Sequence, residues 1–164
     1  TLFADGSIRL DVSTNQDGAL FELIDYGESL VEGTLGYMTW NIGSQGFEMT
    51  LDKHVPNVLG ESIKGVMEKF LNKHGLKLCD ISHFAIHPGG YKIIEQVAEA
   101  LDASEDKIKA SQSILLNYGN MSSATVPHVW WELDRSGLLQ SGDFIVSMAF
   151  GPGLTACFNL LRRV

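Results

Sequence analysis

The five residues Ile86-His87-Pro88-Gly89-Gly90 constrain this chain more than any other stretch. They join an apolar run, Ile81 to Ile86, to a helical pattern that begins near Tyr91. A residue before proline is pushed out of α-helical geometry, so His87 should end a strand and not open the helix. The two glycines let the backbone turn sharply and admit a close neighbour. In α/β folds the carboxyl end of a strand is where chemistry gathers. The pentapeptide alone leaves two readings open: a histidine bonded into a turn, or a histidine presented to a substrate.

The flanking segments alternate between strand and helix patterns. Ser7 to Val12 directs Ile8, Leu10 and Val12 to one face, and Leu20 to Leu30 is a second β-like run; residues 13–18 form a polar turn between them. Tyr37 to Ile42 and Phe47 to Leu51 read as short strands. Alternation of Phe47, Met49 and Leu51 with Glu48 and Thr50 predicts one buried face. A helix is predicted from about Val55 to Lys73, with Pro56 in its first turn, Ile63, Val66, Met67, Phe70 and Leu71 inward, and Gly75 as its cap. After the strand ending at His87, a helix over about Tyr91 to Leu101 should bury Ile93, Ile94, Val97 and Leu101. Ser104 is expected to cap a short turn containing Glu105, Asp106 and Lys107, and Ser113 to Leu116 is a brief apolar stretch. A long helix from near Asn120 to Asp134 must either kink at Pro127 or start later. Asp143 to Phe150 and Leu154 to Leu161 are apolar enough to lie centrally in a sheet. This order predicts an α/β layered domain, and 164 residues suffice for one domain or for half of a larger one.

Charge and composition exclude several classes. Twelve basic against twenty acidic residues give a net charge of −8, which argues against nucleic acid as a partner held through its phosphates. No apolar run approaches the ~20 residues that span a bilayer, and no signal peptide opens the chain, so no membrane partner is expected. Cys79 and Cys157 make neither a disulfide framework nor a metal cluster; they read as small buried hydrophobes in a cytoplasmic protein. His54, His74, His83 and His128 have no metal-ligand spacing, so no metal is expected. The start, Thr1-Leu2-Phe3-Ala4-Asp5-Gly6, lacks a methionine and reads as the middle of something longer.

Two further stretches bear on His87. In Asn117-Tyr118-Gly119-Asn120-Met121-Ser122-Ser123-Ala124 a glycine precedes an asparagine where a helix should open. Asn120 is either an N-cap or an amide offered to a ligand. Gly151-Pro152-Gly153 is a tight strand-to-strand turn, or a loop with a task. Taken together, His-Pro-Gly-Gly, Tyr-Gly-Asn-Met-Ser-Ser-Ala and Phe-Gly-Pro-Gly-Leu resemble, in order and spacing, the C-terminal half of a chalcone/stilbene synthase, a type III polyketide synthase. The resemblance runs from Phe3-Ala4-Asp5-Gly6 to the last strand. Ketoacyl-carrier-protein synthases III are similar at the histidine and asparagine, but usually follow that histidine with Gln-Ala-Asn.

The resemblance implies a thiolase-like fold, of which residues 1–164 are the C-terminal domain, and an acyltransferase that condenses malonyl-CoA with an acyl-CoA starter. It also implies a homodimer of the full-length protein, and coenzyme A thioesters as substrates with no further cofactor. His87 and Asn120 match the catalytic histidine and asparagine of a Cys-His-Asn triad. The cysteine belongs to the first half; neither Cys79 nor Cys157 has its setting. Phe3 matches one gatekeeper of the catalytic chamber. Met49 stands where plant enzymes carry a second, phenylalanine gatekeeper, unless it is plain core packing. With Trp40 and Asn41 at other lining positions, it implies a roomier cavity and a long or fatty acyl starter. Gly151, Pro152 and Gly153 match the loop that shapes the chamber. Lys92 is either a contact to coenzyme A phosphates or a solvated helix residue. Two alternatives stand beside this: a ketoacyl synthase III using an acyl carrier protein, and a non-catalytic dimerisation module.

Overall fold

The computed structural model describes residues 2–164. A four-stranded mixed sheet lies at its centre, ordered β1 (Phe21–Leu30), β6 (Thr155–Arg163), β5 (Phe144–Gly151) and β4 (Ile81–Ile86). β5 pairs in parallel with β4 and antiparallel with β6, which pairs antiparallel with β1. Successive side chains of a strand point to opposite faces. Phe84, Ile86, Val146, Met148, Phe158 and Leu160 therefore fill one core, and Ala85, Ile145 and Leu161 another. Burial on both faces is why β4 and β5 read as continuous apolar runs.

Helices α1 (Val55–Asn72) and α2 (Tyr91–Ala100) pack into the first core; α3 (Glu105–Tyr118) and α4 (Thr125–Arg135) close the second. In α1, Leu59, Ile63, Met67, Phe70 and Leu71 are buried, Val66 is partly so, and Pro56 lies in the first turn, where its missing N–H has no role. The helix stops in a Schellman turn. Leu76 N–H bonds Leu71 O at 3.1 Å and Gly75 N–H bonds Asn72 O at 3.2 Å, with Gly75 at φ +69°. The predicted inward residues of α2 are all buried.

Five expectations are corrected. Ser7 to Val12 is irregular, with Val12 96% exposed, because no strand among the described residues pairs with it to satisfy its backbone. β2 (Met38–Gly43) and β3 (Gly46–Leu51) form a hairpin that is a sheet of its own. No layer among the described residues covers it, so Phe47 and Leu51 are exposed and, of the three alternating residues, Met49 alone is half-buried. The segment expected to hold a short turn and a brief apolar stretch is the fourteen-residue helix α3. Two of its four buried positions are the small Ala110 and the polar Ser111, which leaves only Ile108 and Ile114 as large apolar markers. Of the two alternatives for the helix near Asn120 the later start holds, since α4 begins at Thr125 with Pro127 in its first turn; what fails is the N-cap reading of Asn120, which lies outside the helix. Cys79 and Cys157 are exposed. Cys157 alternates on β6 with buried Ala156 and Phe158, and so faces the uncovered side.

The connections align one end of the molecule. Lys107, in the first turn of α3, donates to Ile81 O at the start of β4, while Ser111 one turn later accepts the Ile86 N–H at 3.0 Å. α3 thus runs in the direction of β4 and delivers residues 119–121 beyond the strand's carboxyl end. β5 is parallel to β4, so the turn after Gly151 emerges at that end too.

Candidate active site

His87 extends the ladder by one residue beyond β4, donating its backbone N–H to Met148 O on β5 at 2.8 Å. Gly89 N–H turns back to His87 O at 2.8 Å, and Gly90 opens α2. A side chain at Gly89 would put its Cβ 3.2 Å from Ile93 Cδ1 and 3.4 Å from His87 Cδ2. The glycine leaves room for the ring and for the helix beside it. The ring carries no hydrogen bond among the described residues, and burial pushes its pKa below the ordinary 6.5. It is therefore neutral at pH 7 and can donate from one ring nitrogen.

Asn120 is 5% exposed, on the loop between α3 and α4. Its backbone is held on both sides: its N–H bonds Leu2 O at 2.9 Å, and its C=O accepts the Ala4 N–H at 3.0 Å, in a parallel bridge with Phe3. Its Oδ1 accepts the Ser122 N–H at 2.9 Å and lies 3.5 Å from Thr125 Oγ1. Because a backbone N–H must find oxygen, the amide is oriented with its NH₂ left to donate elsewhere. Ser122 takes φ +56° in closing this turn. No single-residue signal in the sequence marks Ser122 or Thr125 as its holders; the expected N-cap reading had the right side chain and the wrong partner.

Gly151-Pro152-Gly153 closes the β5–β6 hairpin at the same end of the sheet. Gly153 has φ +125°, and a Cβ there would lie 2.8 Å from Leu30 Cδ1, so only glycine fits. The fold thus gathers the His87, Asn120 and Gly151–Gly153 loops, with Phe3 bridged to Asn120. Met49 pairs with Trp40 across the β2–β3 hairpin, where Trp40 packs edge-on to Phe47 and Asn41 donates to Thr39 Oγ1. Among the described residues that hairpin's strands pair only with each other. Lys92 is exposed and lines an open depression of about 460 Å³ with Lys53, His54, Pro56, Asn57, Glu95 and Gln96. Among the described residues no group of three or more His, Cys, Asp or Glu could hold a metal ion, and no helix is long and apolar enough to cross a membrane.

His83, buried on β4, also has its pKa lowered by burial, against the pull of Asp143. Below pH 6.5 an unfolded chain would protonate both histidines while the folded chain resists, so stability is full above that pH and falls as pH drops through it. Thermal melts are expected to show a lower Tm at about pH 5.5 than at about pH 7.5, with a smaller drop in His83→Gln. A Tm that is flat across this range would contradict the assignment.

Residues 22–164 match the family model described as chalcone and stilbene synthases, C-terminal domain. The chain is 34% identical over 160 residues to a type III polyketide synthase of Penicillium soppii, an alignment covering 88% of this chain and 39% of that protein. It is 31% identical over 166 residues to a 3,5-dihydroxyphenylacetyl-CoA synthase of Amycolatopsis balhimycina, covering 99% of this chain and 44% of that one. Among solved structures, PKS-I from the brown alga Ectocarpus siliculosus superposes with a TM-score of 0.79 at 32% identity, over 88% of this chain and 40% of its own. The C-terminal type III polyketide synthase domain of Steely1, a type I/III hybrid from Dictyostelium, gives 0.82 at 28% identity, over 88% and 41%. The chain therefore spans less than half the length of these relatives.

Proposed function

The chain belongs to the chalcone and stilbene synthase family of type III polyketide synthases and has their thiolase-like fold; from this premise we propose that it is the C-terminal domain of an acyltransferase that condenses malonyl-CoA decarboxylatively with an acyl-CoA starter. The observation that carries the reading is the placement of two loops at one end of the sheet: a half-buried imidazole, its pKa lowered by desolvation and with no hydrogen bond among the described residues, and an asparagine whose Oδ1 is tied down so that its NH₂ is left to donate.

A malonyl thioester that loses carbon dioxide leaves an enolate, and the charge collects on the thioester oxygen. His87 and Asn120 are the two N–H donors to that oxygen, and the Asn120 amide is already oriented by Ser122 and shielded from water. The enolate carbon then attacks an acyl thioester on a cysteine, the new C–C bond forms and the thiolate leaves. That cysteine comes from the preceding half of the longer protein. Brought beside His87, the thiolate would favour the imidazolium and offset the lowering caused by burial. Lys92, with Lys53 on the same depression, is the contact to coenzyme A phosphates. Phe3 and Met49 are gatekeepers, and the Gly151–Gly153 turn is a wall of the chamber. The uncovered apolar residues of β1 and the hairpin, among them Leu23, Tyr26, Trp40 and Phe47, fit faces covered in the full-length cytoplasmic homodimer.

The test is an assay of the full-length gene product with malonyl-CoA and a series of acyl-CoA starters. Condensation products are expected, with long aliphatic starters preferred over short aromatic ones because a thioether at Met49 leaves more space than a phenyl ring. A preference for short aromatic starters would overturn the chain-length part; the absence of any malonyl-CoA-dependent product would overturn the activity.

A further inference from the structure

We propose that Thr34, in the connection from β1 to β2, is a positioning residue that fixes the Gly151-Pro152-Gly153 turn and through it the products the chamber releases. The role rests on the reading of that turn as a chamber wall. Nothing in the local sequence, Glu32-Gly33-Thr34-Leu35-Gly36, singles this threonine out. In the fold it is 4% exposed, and its hydroxyl both donates and accepts. It donates to Val31 O at 2.6 Å and accepts the N–H of Leu154 at 2.7 Å. Val31 N–H in turn bonds Leu154 O at 2.9 Å.

Both backbone groups of Leu154, the residue that closes the turn, are thus held by one connection 120 positions away. Leu154 is itself fully buried, Gly153 is pressed against Leu30, and Thr155 Oγ1 donates to Pro152 O at 2.8 Å. Without the Thr34 hydroxyl the Leu154 N–H would be buried with no acceptor, and the turn would shift to regain one. The backbones of His87 and Asn120 are held by other partners: Met148 for the first, Leu2 and Ala4 for the second. Thr34 therefore bears on how an extended chain is housed, and not on the donors that stabilise the enolate.

The experiment uses the full-length enzyme with Thr34→Val, which keeps the shape and removes the hydroxyl, and Thr34→Ser, which restores it. Three quantities are read: malonyl-CoA decarboxylation, the product distribution, and amide exchange of the peptide containing Leu154. Thr34→Val is expected to decarboxylate within about twofold of wild type, to change the ratio of main to minor products by at least about threefold, and to speed Leu154 exchange by about tenfold or more. Thr34→Ser should return the last two to wild type. Unchanged products together with unchanged exchange in Thr34→Val would overturn the proposal, as would loss of decarboxylation in step with product, which would make Thr34 a general support. Should Thr34→Val not fold, Thr34→Ala removes the same hydroxyl with less bulk and is read in the same way. A wild-type enzyme that does not decarboxylate malonyl-CoA would overturn the acyltransferase reading, and the exchange arm would still decide the clamp.

Discussion

Asn120→Asp in the full-length enzyme is expected to slow malonyl-CoA decarboxylation by about 10²- to 10³-fold, or about 3 to 4 kcal/mol of transition-state stabilisation. The substitution is nearly isosteric. One carboxylate oxygen can still accept the Ser122 N–H that holds the amide at 2.9 Å, and the backbone bonds to Leu2 and Ala4 are untouched. What changes is the group left facing the site. An NH₂ donor becomes an acceptor carrying negative charge, opposite an oxygen that is itself gaining negative charge. Thermal melting should stay within a few degrees of wild type, which separates lost chemistry from lost structure. A decarboxylation rate within about threefold of wild type would remove Asn120 from the enolate site.

The second large effect is on the fold. Phe84→Ala is expected to destabilise the chain by about 3 to 5 kcal/mol, out of a total that for such domains is typically about 5 to 15. Phe84 is 1% exposed, in the middle of β4, and its ring belongs to the core between the sheet and helices α1 and α2. Truncation removes apolar contact and leaves a cavity that β4 cannot close, because the strand is held by β5 on one edge and by Ser111 and Lys107 of α3. Urea unfolding should show the loss as a lower midpoint, and melting as a drop of about 10 °C. Phe84→Leu, which refills most of the volume, should recover more than half of it. If Phe84→Ala melted within about 2 °C of the parent, the burial of β4 against α1 and α2 would be wrong.

The sequence made some parts of this molecule legible for identifiable reasons. A proline after His87 and glycines after that could only end a strand and begin a helix, and the boundary lies there. The apolar runs of β5 and β6 marked central strands, and both lie inside the sheet, β5 buried on both faces and β6 mainly on one. Gly75 marked the end of α1 because the left-handed turn there needs it. α3 was illegible, since between Ile108 and Ile114 its buried face runs through the small Ala110 and Ser111, and a hydroxyl that accepts a backbone N–H carries no periodic signal. The alternating segments at Ser7–Val12 and Phe47–Leu51 carried the pattern of buried strands without a partner layer to bury them, and pattern alone cannot supply one.

At the site the division is similar. The residue types, His87 and Asn120 with their glycines, stand in the sequence, because an imidazole and an amide on tight turns are a local matter. Their orientation is not. That Oδ1 of Asn120 is bonded by Ser122, that the His87 ring is desolvated between β4 and α2, and that Thr34 holds Leu154 from 120 positions away depend on which segments fold against one another. By itself the sequence determined the family, the strand and helix around each turn and the chemistry on offer, since these follow from short-range sterics and side-chain type. Only the tertiary structure decided which donors are free, which cysteines are exposed and which loops share one end of the sheet, since burial and hydrogen-bond partners are set by distant chain brought close.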